Sequence, residues 1–365
     1  MKPILPLFFS LLLTALSCSR QAPSDPAVSE DPGRPEHEEC GFGSVYYWKT
    51  VLSLSDYDRK FLKTHNVERV YLRMFDVTED KYPANVDERA VPNASLRVSD
   101  RMYDSLKDSI DAMEFVPVVY ITLDALRAMR DNEGVLASNI VTRVRNMCSY
   151  NSIPNVHELQ LDCDWTAGTE RSFFALCDSV RHYISRLELP WKLSSTIRLH
   201  QLSGQAPPVD WGVLMVYNTG SFDDPDTDNS IIDIADIEPY LKHLSAYPLH
   251  LDVAYPTYSW QLLFRKRQFI GLISGLDLAD TTQFARKDAH RYIARRDIPY
   301  NNRMIRAGDV VREETSEFKN IYDVKSKIES HLKGRHHSNI LYHLDSANLS
   351  KYNNYEISRI FNPRP

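Results

Sequence analysis

The sequence predicts an α/β fold, a (β/α)8 TIM barrel with an insertion between strands 7 and 8. Eight short apolar segments alternate with helical ones along 365 residues, a length that such a barrel can fill as one domain. The third apolar segment, residues 115–122, is apolar almost throughout, as expected of a parallel strand covered on both faces. No glycine-rich phosphate turn follows an early strand, which disfavours the alternative, a doubly wound open sheet.

The first half of the chain supplies four strands and the helices that follow them. β-branched and aromatic residues predict strands at 43–48, 67–77, 115–122 and 158–166. Apolar residues at helical spacing predict helices at 56–64, 100–113, 135–150 and 169–187, and Ser55 is a good N-cap for the first of them. A polar loop at 78–99 is long enough to have a functional role.

The second half completes the barrel and contains the insertion. The remaining strands are predicted at 191–199, 211–218, 249–254 and 339–344, and helices at 233–245, 317–332 and 354–360. Residues 256–337 are too many for one connection and contain a predicted hairpin at 262–273 that turns near Arg267. We therefore expect an inserted subdomain at about 256–315.

The N-terminal segment predicts export. Residues 1–18 combine Lys2, an apolar run too short for a membrane span and Cys18, which together resemble the signal peptide and lipobox of bacterial lipoproteins. Lipidation of Cys18 would anchor the protein in the bacterial cell envelope, with the outer membrane as the expected site; a plain secretory signal is the alternative. Residues 19–40 are rich in Pro, Ser, Asp and Glu and predict a disordered tether before the barrel domain, residues 41–365.

Composition excludes some partners and cofactors. The formal net charge of −6 gives no electrostatic footprint for nucleic acid. Contact with a membrane is expected through the lipid anchor only. The cysteines after Cys18 lack metal-ligand spacing, and no metal or other cofactor is predicted. Cys163 and Cys177 are interpreted as buried thiols, with a disulfide from Cys148 to either left open. The acids at 223–228 lack the glycine and final glutamate of an EF-hand loop and are interpreted as solvated.

The fourth predicted strand ends in two carboxylates. Asp162 and Asp164 are spaced i, i+2, so in a strand both side chains leave on the same side. Like charges that close cost free energy unless a proton, a cation or water relieves them, which indicates chemistry or ligand binding. A structural role for Asp162, paired with Arg73 or Arg198, is the alternative.

Further candidate residues lie at the other predicted strand ends, where TIM barrels place their active sites. They are carboxylates, planar aromatics and hydrogen-bonding side chains: Trp48, Arg73, Asp76, Tyr120, Trp165, Tyr217, Asn218, Asp252, Tyr255 and Tyr258. Aromatic rings can stack on sugar faces while acids and amides bind hydroxyl groups. A carbohydrate ligand is therefore predicted.

Three short motifs resemble the family 18 glycoside hydrolases, the chitinase and endo-N-acetylglucosaminidase group. Residues 161–166 (LDCDWT) are similar to the end of that family's fourth-strand motif, Asp-Gly-x-Asp-x-Asp-x-Glu. Residues 215–218 (MVYN) resemble its sixth-strand Met-x-Tyr-Asp, and residues 255–258 (YPTY) its seventh-strand Pro-x-Tyr. The resemblance implies a TIM barrel that acts on glycans, with Asp162, Asp164 and Tyr217 as catalytic residues.

The sequence departs from this motif at the position of the general acid. Thr166 stands where the family has its catalytic Glu, and a hydroxyl cannot serve as a general acid near neutral pH. Two replacements are conceivable: Asp164, with its pKa raised by Asp162, or an acid from another strand end such as Asp76, Asp252 or Asp345. The function expected first is glycoside hydrolysis, the alternative is a catalytically inactive glycan-binding lipoprotein, and the third possibility is a structural lipoprotein without ligand.

Overall fold

Eight parallel strands close into a barrel in the computed structural model, which describes residues 43–99, 113–301, 303–332 and 334–362. Each strand pairs with its sequence neighbour, and the first pairs with both the second and the eighth, which closes the sheet. The barrel strands are, in order, Gly43–Tyr47, Val67–Glu79, Glu114–Ile121, Glu158–Asp162, Lys192–Arg198, Trp211–Met215, Leu251–Pro256 and Asn339–Tyr342. The predicted TIM barrel is confirmed.

Helices cover the outside of the barrel. Ser55 caps the first of them in a reciprocal capping box with Asp58, as its sequence position predicts. The helices are Asp56–Thr64, Leu123–Ala128, Glu133–Tyr150, Glu170–Arg186, Ile234–Leu244, Phe318–Leu332, Ser346–Leu349 and Asn354–Phe361. Among the described residues, every helix is too short or too polar to cross a membrane.

Side-chain alternation along the strands separates two cores. Leu159 and Leu161 of the fourth strand point outward and pack with the helices in the larger core. Tyr46 and Tyr71 belong to the smaller core, which fills the barrel with apolar side chains from six strands. Gln160 faces this interior, where its side-chain oxygen accepts a 2.7 Å hydrogen bond from the Tyr46 hydroxyl. The interior is therefore packed, and a ligand can enter only at its mouth.

The insertion after the seventh strand forms a separate antiparallel sheet. Its five strands are Ser259–Arg265, Gln268–Ile273, Phe284–Arg286, Arg291–Ala294 and Val310–Thr315. The predicted hairpin is present, with Lys266 and Arg267 in its turn. Leu263, Ile305 and Val311 belong to a core that the insertion has of its own. The insertion thus folds around its own apolar cluster between the seventh and eighth strands, where the sequence predicted one.

Other predictions lie outside the described residues or need correction. The signal segment, Cys18, the tether and nearly all of the predicted helix at 100–113 are outside them. The seventh strand is Leu251–Pro256, two residues later than predicted. Because of this shift, Asp252 lies near the N-terminal end of the strand, whereas the site was expected at the C-terminal ends of the strands.

Candidate active site at the barrel mouth

Asp162 ends the fourth strand inside the barrel mouth and is 4% exposed. One of its carboxylate oxygens accepts hydrogen bonds from Thr196 Oγ1 at 2.6 Å and from Arg198 Nη2 at 2.8 Å. Burial lowers the pKa of Arg198, but the Asp162 carboxylate together with Tyr217 and Asp164 raises it, so that the pKa lies above its ordinary value. Asp162 and Arg198 therefore form a buried ion pair, one of the two structural pairings that the sequence left open.

Asp164 lies in a different environment. Its side chain is 53% exposed, and its carboxylate is 3.6 Å from His200 Nε2, another exposed group. Asp164 is open to solvent and next to an imidazole, whereas Asp162 is buried and paired with Arg198. The two acids therefore do not share one enclosed space, contrary to what the sequence had suggested.

Thr166, at the position of the family's general acid, is exposed and takes part in the turn before the next helix. Its backbone N–H donates to Thr169 Oγ1 at 3.0 Å, and the two hydroxyls are 3.5 Å apart. The backbone carbonyl of Thr166 accepts from the N–H groups of Thr169 and Glu170. Its local interactions are those of a helix start, and its side chain carries no acidic proton.

Four aromatic side chains line the mouth; we call Trp48, Tyr217, Tyr258 and Tyr342 the aromatic wall. All four are partly buried and come from the ends of the first, sixth, seventh and eighth strands. Tyr342 lies at the centre, with ring centroids 4.6 Å from Tyr217, 5.7 Å from Trp48 and 6.0 Å from Tyr258. Burial, followed by the neighbouring Tyr342, raises the pKa of Tyr217 well above its ordinary value. Its hydroxyl therefore stays protonated and can donate a hydrogen bond.

Polar groups flank the wall on the second and third strands. Arg73 donates to both carboxylate oxygens of Asp76, and its guanidinium lies 5.4 Å from the centre of the Trp48 ring. Tyr120 is partly buried, and burial followed by the Asp162 charge raises its pKa. These residues lie where the sequence predicted ligand contacts, although the carboxylate of Asp76 is already paired.

Asn218 joins two strand ends across the mouth. Its side-chain oxygen accepts a 2.5 Å hydrogen bond from the Tyr258 hydroxyl. Its backbone has a φ of 53°, in the left-handed region that Asn tolerates better than most residues. The bond fixes Tyr258 relative to the loop that leaves the sixth strand.

Three predicted contact residues lie elsewhere. Trp165 is 2% exposed and packs against Phe173 of the following helix, so it is a core residue. Tyr255 is fully buried and points outward to the helix layer, because its neighbour Ala254 faces the barrel interior. Asp252 accepts from the Ser338 backbone N–H at 2.7 Å, at the N-terminal end of the barrel. The prediction that these side chains line the mouth is wrong.

The acids proposed as replacement donors are also engaged. Asp345 caps the helix Ser346–Leu349 and forms a 2.7 Å ion pair with Lys49. Burial would raise the pKa of Asp345, but its hydrogen bond with Lys49 and the ammonium charge lower it below the ordinary value. Asp345 is therefore a carboxylate at neutral pH.

Sequence reasoning gave too little weight to two residues of the mouth. Tyr342 was overlooked because the eighth strand was predicted to run on to residue 344, which placed Asp345 and not Tyr342 at the strand end. Arg198 was placed at a strand end and considered as a partner for Asp162, but it was not counted among the ligand-contacting residues, although its guanidinium lies 2.8 Å from the Asp162 carboxylate.

The described part of the chain shows no cluster of three His, Cys, Asp or Glu side chains that could bind a metal ion. Asp226 and Asp228 of the acidic loop pair with Arg267 and Arg291 of the insertion.

Cys148, Cys163 and Cys177 are buried free thiols, which rules out the disulfide left open for Cys148. Burial raises the pKa of the Cys148 thiol to about 12.

Comparisons with known proteins concern the fold. No protein-family model matches the sequence, and no curated protein matches it either. The structure resembles the spore cortex-lytic enzyme SleL of Bacillus cereus, with a TM-score of 0.52 and 12% identity over 88% of this chain and 74% of that chain.

Two further solved structures are similar at lower scores. A chitinase of Chromobacterium violaceum has a TM-score of 0.48 and 13% identity, covering 87% of this chain and 97% of its own. A family 18 N-acetylglucosaminidase of Paenibacillus barengoltzii has a TM-score of 0.47 and 11% identity, covering 87% and 98%. The likeness to SleL shows the TIM-barrel fold that the sequence predicted.

Proposed function

We propose that the barrel mouth binds a glycan and that this chain does not hydrolyse it. The observation that carries the proposal is the aromatic wall. Partly exposed rings from four strand ends share the mouth with Asn218, which contacts Tyr258, and with Tyr120 at the end of the third strand. Sugar rings and their hydroxyls require this combination of aromatic and hydrogen-bonding groups. Such rings bury large apolar area at low entropic cost because each has only two rotatable side-chain bonds.

The surroundings of the carboxylates at the mouth favour binding over hydrolysis. Thr166 has no acidic proton to give, and Asp162 is committed to Arg198 and Thr196. Asp164 lies beside His200 and in contact with solvent. A glycosidase needs a proton donor at the leaving oxygen, and the arrangement of these three residues offers a poor substitute for one.

Calorimetry with a panel of neutral and N-acetylated oligosaccharides tests this function. We expect at least one of them to bind, and we expect Tyr217→Ala and Tyr342→Ala each to weaken that binding at least about tenfold, as truncating an aromatic anchor does. Tyr150→Ala is the matched control, because Tyr150 is 89% exposed at the end of the helix that precedes the fourth strand, away from the mouth.

Chromatography of the same mixtures tests the absence of turnover. Unchanged oligosaccharides after prolonged incubation are expected. Products that form with the wild type and disappear with Asp164→Asn would replace this proposal with the hydrolase. A panel in which nothing binds would contradict glycan binding altogether.

We also propose that lipidation of Cys18 anchors the barrel in the bacterial envelope, with the outer membrane as the expected site. The support is the sequence of residues 1–18 and the polar tether that follows. Metabolic labelling with a fatty-acid analogue, comparing wild type with Cys18→Ala, tests it. Equal labelling of the two proteins would disprove the anchor.

A further inference from the structure

One buried carboxylate joins the insertion to the loop that follows the sixth barrel strand. Glu314 is fully buried in the strand Val310–Thr315, and one of its oxygens accepts from Arg312 Nε at 2.6 Å. The other accepts from the backbone N–H and the hydroxyl of Ser230, at 2.8 and 2.7 Å, and from Trp260 Nε1 at 2.7 Å. With four donors, the Glu314 carboxylate holds two strands of the insertion and the loop in one arrangement.

Further bonds fasten the same loop. Arg312, also fully buried, donates to the backbone carbonyls of Phe222 and Asp224. Asn229 Nδ2 donates to the carbonyl of Thr315 at 3.0 Å. The loop therefore cannot shift without breaking bonds to the insertion. Because Tyr217 and Asn218 lie at the start of this loop, just after the strand Trp211–Met215, the position of the loop affects the mouth.

Trp260 connects this cluster to the aromatic wall. Its indole N–H is held by Glu314, and its ring meets the Tyr258 ring edge to face at 5.4 Å. Tyr258 in turn donates to Asn218 and contacts Tyr217 at 6.2 Å. A continuous chain of contacts thus runs from Glu314 through Trp260 and Tyr258 to the loop end that Glu314 also holds through Ser230.

We infer that Glu314 and Trp260 are positioning residues, which act through Tyr258 to hold the aromatic wall in its ligand-binding arrangement. Neither residue belongs to the wall. Their effect is preorganisation, because a ring fixed before the ligand arrives need not be ordered by it. The inference rests on the proposed glycan binding and specifies which part of the insertion that binding depends on.

Trp260→Phe is the first test, because it removes the indole N–H that Glu314 accepts, together with part of the indole ring, and keeps an aromatic ring beside Tyr258. We expect the Kd for the best oligosaccharide of the panel to rise about five- to tenfold, which lies within the range of couplings transmitted through packed side chains. Trp211→Phe is the matched control: its indole N–H also donates to a buried glutamate, Glu158, at 3.0 Å. That bond lies at the opposite end of the barrel, so the Kd should stay unchanged.

A double-mutant cycle with Tyr258→Phe separates positioning from general loss of stability. If Trp260 acts through Tyr258, the double variant binds about as weakly as the weaker single variant; independent effects would multiply. Should Trp260→Phe fail to fold, Ser230→Ala removes another donor to the same carboxylate and is expected to weaken binding as well. The inference is overturned if the folded variant keeps the wild-type Kd, or if the two effects multiply in the cycle; glycan binding itself would then still stand. If the wild type binds no oligosaccharide, the proposed function is refuted.

Discussion

Asp162 is the residue on which the interpretation of the mouth depends most. The Asp162 carboxylate is buried, and the Arg198 guanidinium 2.8 Å away balances its charge. Removing the guanidinium would leave that charge buried and unpaired, which costs more than the pair itself contributes. The strength of the coupling between Asp162 and Arg198 is therefore measurable as stability.

Arg198→Met is expected to lower the free energy of unfolding by about 3 kcal/mol. Adding Asp162→Asn to it should recover at least about 1 kcal/mol, because the neutral amide no longer leaves a charge unpaired. Urea denaturation gives both values. Arg127→Met is the control: its pair with Asp124 is solvent-exposed, so its loss should change stability by less than about 0.5 kcal/mol. A double variant less stable than Arg198→Met would show that Asp162 is not stabilised by that pair.

At the scale of elements, the insertion joins the barrel through its first and last strands, Ser259–Arg265 and Val310–Thr315. Lys351, after the helix Ser346–Leu349, reaches both of them: its ammonium is 2.9 Å from Ser259 Oγ and 2.9 Å from Thr315 Oγ1. These acceptors are neutral hydroxyls, and Glu317 is the acid that acts on Lys351 electrostatically. Although the residue as a whole is exposed, its contacts shield the ammonium group from water, and this desolvation lowers the pKa of Lys351 to about 8. The attachment therefore contains a group that titrates in an accessible pH range.

The sign of the resulting pH dependence follows from proton counts. Between about pH 8 and the ordinary lysine pKa, the unfolded chain holds a proton on Lys351 that the folded chain has released, so this residue makes stability rise with pH. We expect the unfolding free energy of wild type minus that of Lys351→Met to increase from pH 7.5 to about 9.5, below the range where tyrosines titrate. Denaturation at several pH values measures it. Lys319→Met is the control, since Lys319 is exposed and its pKa is raised by Asp323. If the difference in unfolding free energy between wild type and Lys351→Met did not change with pH, the lowered pKa of Lys351 would be contradicted.

At the scale of the whole molecule, the order of elements was predictable because it depends on local patterns. Alternating apolar strands and helical stripes fixed the barrel, and the helix Asp56–Thr64 was predicted to the residue because Ser55 marks its start. The mouth was less predictable, since it depends on which way each side chain points. A shift of two residues in the seventh strand moved Asp252 from the expected site to the opposite end of the barrel. The pairing of Asp162 with Arg198 follows from the register of the fourth and fifth strands, which the sequence alone does not reveal.

The charge balance of the mouth gives a prediction for the whole molecule. Asp162 pairs with Arg198, and Asp76 with Arg73, so both guanidinium groups are already matched within the protein. The chain as a whole carries a formal charge of −6, which would not attract an acidic glycan. A neutral oligosaccharide should therefore bind with a Kd that changes less than about twofold between about 50 and 500 mM salt, because screening affects only unpaired charges. Its sulfated analogue, the matched probe, should bind no more tightly at either salt concentration. Calorimetry measures both; tighter binding of the sulfated sugar that is lost at high salt would show that Arg73 or Arg198 leaves its carboxylate to bind the ligand.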